Sequence, residues 1–159
     1  MTRKEQYNQL ILQIAGLIKD ETNLVGILAN VSAALHDTFP ERFFWVGFYL
    51  QENGNMLRLG PFQGSVACYV IPFGKGVCGK AWEEGRTLIV PDVEKFPGHI
   101  ACSSLSRSEI VVPMYDDSHT FRGVLDIDST RLNDFNEDDR EGLERIIKLL
   151  MAETQDLFQ

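Results

Sequence analysis

Apolar residues recur at helical spacing near both ends of the chain and alternate in its middle. Leu10, Ile11, Ile14, Leu17 and Ile18 form one stripe, which predicts an amphipathic helix over residues 3–19. Thr22 or Asn23 can cap a second helix whose stripe is Leu24, Ile27, Leu28, Val31 and Leu35, ended by Pro40. Residues 43–51, dense in aromatic and β-branched side chains, predict a strand. Asn53-Gly54 predicts a two-residue hairpin turn into a second strand over 56–62. A short strand over 65–71, the turn Pro72-Phe73-Gly74-Lys75-Gly76, a brief helix over 77–84 stopped near Gly85, and a small strand over 87–90 follow. Residues 91–108 carry weak periodicity, Pro91, Pro97, Gly98 and several serines, so they read as a long irregular segment of the kind that often carries function. Residues 109–114 and 121–127 predict central strands joined by a polar turn. Asn136 then caps a last helix with acids in its first turn and Leu143, Ile146, Ile147, Leu150, Thr154 and Leu157 along one side. The order predicts one α+β domain over residues 1–159 with a mostly antiparallel sheet. Helices from the two chain ends share one face, leaving the other for a pocket roofed by the irregular segment.

Composition narrows the function. With 159 residues, 44% hydrophobic and 24% charged, the chain suits one ordinary globular domain. A net charge of −8 disfavours nucleic acid and anionic membrane as partners, since both need clustered Lys and Arg. The first residues run straight into the amphipathic pattern without an apolar signal core, and no run approaches the roughly 18 apolar residues of a membrane span. The expectation is a soluble, cytoplasmic protein without a membrane partner. In that setting three cysteines, an odd number, argue against a permanent disulfide framework, while a pair plus a spare suits a nucleophile with a resolving partner.

Candidate chemistry gathers around these cysteines and an acidic strand. Cys102 sits in Gly98-His99-Ile100-Ala101-Cys102 within the irregular segment; it reads as a small inert thiol or, given its loop setting, as a reactive one whose thiolate a backbone N–H or His99 would favour. Cys78 lies in Gly74-Lys75-Gly76-Val77-Cys78-Gly79, whose glycines suit tight turning better than phosphate binding. Cys68 falls in the alternating stretch Val66 to Val70, where core packing is an equal reading. The cysteines and histidines show no zinc spacing, so no metal is expected. Asp126 and Asp128 stand at alternate positions of an apolar strand and therefore share a side, with Glu109 as a neighbour across a hairpin. They read either as acids solvated at a sheet edge or as an acidic pocket in which crowding keeps one carboxyl protonated. Trp45 and Tyr49 share a strand face, with Gly47 between them leaving room for core packing or for a small ligand.

Five stretches together resemble the free methionine-(R)-sulfoxide reductase family, enzymes built on a single GAF domain. They are Trp45-Val46-Gly47-Phe48-Tyr49-Leu50, Leu59 to Gly64 with Ala67-Cys68, Ile71 to Gly79, Gly98 to Cys102 continuing through Ser108 to Pro113, and Gly123 to Ser129. The resemblance runs from about Thr22 to Leu149 and implies a GAF-like fold. It implies that Cys102 attacks the sulfoxide sulfur of free L-methionine-(R)-sulfoxide and becomes a sulfenic acid. Cys68 then resolves this to a Cys68–Cys102 disulfide that thioredoxin reduces, with Cys78 as an alternative resolver. No cofactor is required. Glu109, Asp126 and Asp128 suit the substrate ammonium and the oxygen, the backbone around Ile100 and Ala101 its carboxylate, and Trp45 and Tyr49 its methyl group. The preference for the R epimer rests on the resemblance, as does a homodimer, since family members are commonly dimeric. The rivals are a non-catalytic GAF ligand-binding or redox-sensing module and a thiol peroxidase. The latter would have no use for three carboxylates.

Overall fold

The fold, taken from a computed structural model, is described for residues 1–158. Helix α1 (Arg3–Ile18) starts with a capping box between Thr2 and Glu5. Helix α2 (Leu24–Thr38) takes Asn23 rather than Thr22 as its cap, the Asn23 side chain accepting from the Gly26 N–H. Strands β1 (Trp45–Glu52), β2 (Met56–Gln63) and β3 (Val70–Pro72) precede helix α3 (Gly76–Glu84). Strand β4 (Leu88–Val90), a 3₁₀ turn at Val93–Lys95, strands β5 (Ser108–Tyr115) and β6 (Phe121–Ser129), and helix α4 (Glu137–Thr154) complete the order. The six strands form one sheet, β3-β2-β1-β6-β5-β4, in which every neighbouring pair is antiparallel. The expected α+β architecture is therefore present, and no described helix is long and apolar enough to cross a membrane.

Strand periodicity divides the core in two. Val46 and Phe48 of β1, Ile110, Val112 and Met114 of β5, and Leu125 and Ile127 of β6 pack beneath α1, α2 and α4. The alternate residues, Trp45 and Tyr49, Val111 and Val124, face the opposite side and pack with Val77, Cys78 and Ala81 of α3. Three local expectations need correction. The β1–β2 turn holds three residues, 53–55, because Glu52 pairs with Met56; Gly54 supplies the positive φ of 79°. Cys68 lies in the loop before β3, not in a strand, since pairing there begins only at Val70. The space beside Gly47 is taken by Phe62 and the Trp45 ring, so this glycine serves side-chain packing and not ligand approach.

A buried charge cluster, not anticipated from the sequence, joins the helix layer to the strand ends. Asp139, within the α4 capping box, accepts from Tyr7 Oη at 2.6 Å, Arg3 Nη1 at 2.8 Å and Arg42 Nη2 at 3.0 Å. Arg42 also donates to Asp134, which in turn accepts from the Ser129 hydroxyl at the end of β6. The guanidinium lies over the rings of Phe39, Phe43 and Phe135 at 5.1, 5.4 and 5.7 Å, a setting for its buried Nη1, which has no hydrogen-bond partner among the described residues. Removing Asp139 leaves the Arg42 guanidinium largely buried with one carboxylate fewer, and the buried Tyr7 hydroxyl without its acceptor. Asp139→Ala is therefore expected to cost about 3–5 kcal/mol in urea unfolding; a loss below about 1 kcal/mol would show that the cluster is not structural.

Candidate active site

The side of the sheet opposite the terminal helices carries a pocket. Its floor comes from the pairing of β1, β6 and β5. Trp45 stands opposite Asp128 and Gly47 opposite Asp126, while Glu109 stands opposite Asp128 from the other side and Val111 opposite Asp126. Period two then delivers Trp45, Tyr49, Glu109, Asp126 and Asp128 to one cavity, all five among its lining residues. The strands β1, β6 and β5 are interior to the sheet, and Glu109 and Asp126 are only 5% and 6% exposed, which excludes the reading of solvated edge acids.

Trp45 and Tyr49 stack at 5.9 Å, and Phe62 stacks on the other side of Trp45 at 5.1 Å. Both rings anchor the loop that carries Cys68. Trp45 Nε1 donates to the Ser65 carbonyl at 3.0 Å, and Tyr49 Oη donates to the Cys68 carbonyl at 3.0 Å. The irregular segment forms the roof, with His99, Ile100, Cys102, Ser103 and Ser106 lining the pocket. Ile100 packs against Gly76, where an added Cβ would meet it at 3.1 Å and where φ is 62°, so the first turn of α3 seats the roof. Cys68 and Cys102 form a disulfide across the mouth, with Cα atoms 5.4 Å apart. Cys78, 3% exposed, is the free thiol and faces the acids from α3.

The electrostatics are those of crowded, dry carboxyls. Burial, reinforced by the Asp126 and Asp128 charges, holds the Glu109 carboxyl well above its ordinary range. Burial and then the Asp126 charge raise Asp128 well above its range, with the Ser106 hydroxyl acting in the opposite sense. Asp126 is raised by burial, and contacts from Glu109 and Cys78 pull it back. The upward shifts favour the protonated forms of these acids, an arrangement suited both to offering negative charge and to holding a proton donor. Burial and the same acids push the Cys78 thiol well up. His99 Nε2 lies 3.9 Å from Glu109, and burial lowers the imidazole pKa, so at neutral pH it is a neutral group facing the acids and not a cation that would favour the thiolate.

The structure thus brings Cys102, Cys68, Cys78, Glu109, Asp126, Asp128, Trp45 and Tyr49 to one pocket or its mouth. Of the roof pair, Ile100 lines the pocket, whereas Ala101 is exposed and does not. The Cys102 N–H is engaged by the Ile100 carbonyl at 3.2 Å. Sequence reasoning missed Ser103, Ser106 and the first residues of α3, Gly76 and Val77, as lining groups. Only the packing of the roof on Gly76 reveals them.

An α+β domain with its pocket between a central antiparallel sheet and a loop-and-helix roof is a small-molecule site. A family model for the GAF domain matches residues 21–151. The free methionine-R-sulfoxide reductase of Saccharomyces cerevisiae is 43% identical over 155 residues, covering 94% of this chain and 86% of that protein. GAF domain-containing protein A of Dictyostelium discoideum is 57% identical over 149 residues, covering 94% and 92%. The X-ray structure of the Neisseria meningitidis free methionine-R-sulfoxide reductase in complex with its substrate superposes with a TM-score of 0.93 at 47% identity, covering 98% of this chain and 92% of that one. The chain is a GAF domain and belongs to the free methionine-R-sulfoxide reductase family.

The raised pKa of Glu109 fixes the sign of a stability effect. A carboxyl of raised folded pKa favours the folded state while protonated and loses that contribution as pH climbs through the raised value. Glu109→Gln is therefore expected to melt above the native chain in alkaline buffer and to match it below about pH 4, where the acid is protonated in both states. A melting difference independent of pH would show that Glu109 titrates normally.

Proposed function

We propose that this protein reduces free L-methionine-(R)-S-oxide to L-methionine with electrons from its own thiols. One juxtaposition carries the reading: the Cys68–Cys102 disulfide spans the mouth of a pocket whose floor is Glu109, Asp126 and Asp128. Its 43% identity to a yeast reductase of that name supports it. In the reduced protein the Cys102 thiolate attacks the sulfoxide sulfur while a floor carboxyl delivers a proton to the oxygen. The hydroxyl then passes from the substrate sulfur to the Cys102 sulfur as the S–O bond and the S–S bond made in the attack both break. Methionine leaves with its sulfur reduced by two electrons, and Cys102 is left as a sulfenic acid. Cys68 then attacks the sulfenic sulfur, water leaves, and the disulfide forms. Thioredoxin, a dithiol partner, reduces it, and the cycle needs no metal or organic cofactor. Cys78 lines the same pocket and can stand in as resolver, though its elevated pKa leaves little of the attacking thiolate. A reducing cytoplasm suits such a cycle.

The crowded acids give the specificity. At least one ionised carboxylate among Glu109, Asp126 and Asp128 pairs the substrate ammonium, and a protonated neighbour donates to the sulfoxide oxygen. The backbone around Ile100 and Ala101 receives the carboxylate, and Trp45 and Tyr49 receive the methyl group. A methionine sulfoxide inside a polypeptide has neither charged end, so it leaves the buried acids unpaired and is rejected.

The deciding assay measures methionine released from the free R epimer with a thiol reductant, beside the S epimer and a sulfoxide-containing peptide. Turnover of the free R epimer alone is expected. Ligand binding without turnover would instead make the chain a GAF sensor. Cys102→Ser is expected to abolish turnover, and near-native rates in that variant would remove Cys102 from the chemistry. Asp126→Asn and Asp128→Asn are each expected to lower kcat/KM by about 10-fold or more; unchanged kinetics in both would take the acids out of recognition and proton transfer.

A further inference from the structure

One arrangement in the pocket offers more than the proposed cycle uses. Cys78 Sγ, a Glu109 oxygen and an Asp126 oxygen all lie within 4.8 Å of one another. Asp126 Oδ1 is buried, lines the cavity and has no hydrogen-bond partner among the described residues. His99 Nε2 lies 3.9 Å from Glu109 Oε1 but is not one of the three clustered donors. A substrate ammonium explains the carboxylates, because it needs strong oxygen acceptors. The thiol beside them touches Asp126 and favours its ionised form, and as a thiolate it is a far stronger ligand for a metal than for an ammonium. A thiolate and two carboxylates are instead donors for a borderline-soft divalent cation, three protein ligands leaving the fourth tetrahedral position open.

We propose that this pocket binds a divalent cation of the zinc class through Cys78 Sγ, Glu109 and Asp126. Ligands of this kind give up their protons to the metal. The cation supplies the positive charge that the floor lacks and so offsets the cost of a Cys78 thiolate beside the acids. Linear spacing cannot reveal the set, because its members come from α3, β5 and β6 and meet only through the sheet. The reaction proposed above does not need this ion, and the two readings stand or fall separately.

The test uses the oxidised protein, in which the Cys68–Cys102 disulfide leaves Cys78 as the sole thiol among the three cysteines. Titration with Co²⁺ alone is expected to show one bound equivalent and a near-ultraviolet thiolate-to-cobalt charge-transfer band, which Zn²⁺ then bleaches. Cys78→Ser, nearly isosteric, is expected to lose the band. Asp126→Asn is expected to keep the band but to bind Co²⁺ at least about 10-fold more weakly. Circular dichroism establishes that both variants are folded. No band in the native protein, or cobalt binding unchanged in both variants, overturns the proposal by placing the ion on exposed acids. Because the readout is an absorption band and not turnover, a failed titration leaves the reductase reading untouched, and a failed assay leaves the cation site untouched.

Discussion

The register of β6 is the constraint on which the rest of the molecule depends. Leu125 and Ile127 must enter the hydrocarbon beneath α1, α2 and α4, and Val124, Asp126 and Asp128 must take the other face. A slip by one residue would drive two carboxylates into the helix-covered core and empty the pocket of its charge. The strand is therefore held at several points. β1 and β5 flank it along most of its length, and the Ser129 hydroxyl beyond Asp128 is tied through Asp134 to Arg42 and Asp139. Arg42 lies just ahead of β1. The same buried cluster thus fixes the end of one floor strand and the start of its neighbour, where Asp128 and Trp45 face each other.

Three carboxyls on that floor are tolerated because they need not all ionise. Burial raises each of them, and each charge that does form makes the next more costly. The pocket without ligand is therefore a proton store with a negative bias, and any ligand that brings positive charge relieves the repulsion. An ammonium from a free amino acid does so, and so does a divalent cation. The thiol of Cys78 separates the two, since it serves an ammonium only through its contact with Asp126 but gives the metal a strong ligand of its own. One electrostatic design thus accounts for the proposed substrate and for the proposed competing ion.

Much of this was legible in the sequence because much of it is periodic. The helical stripes, the caps at Asn23 and Asn136, and the alternation that puts Asp126 and Asp128 on one side all appear where expected. The family followed from short motifs around the cysteines and the acidic strand, and the matching relatives bear it out. What failed lacks a period. Cys68 sits in a loop whose alternation of side chains mimics a strand, and its position is set by hydrogen bonds to Trp45 and Tyr49, far away in the chain. Gly47 looked like room for a ligand, yet the adjacent strand fills that room with Phe62. Asp139 reads as an ordinary first-turn acid of a helix, and only the fold brings Tyr7, Arg3 and Arg42 around it.

The placement of acids and thiols divides the labour of the proposed cycle. Glu109, Asp126 and Asp128 sit on interior strands, where their burial and mutual distances are fixed and their pKa values can stay raised. Cys102 sits on the irregular roof, held by a close turn to Ile100 and by the contact of Ile100 with Gly76. Its sulfur must occupy two positions in turn, beside the substrate sulfur and bonded to Cys68. A nucleophile on a central strand could not make that exchange without breaking ladder hydrogen bonds. Carboxyls on a loop, in turn, would be wetted and would lose the shifted protons on which the chemistry relies. The helix-covered face can therefore be rigid throughout. On the pocket face, rigidity belongs to the floor and freedom to the roof.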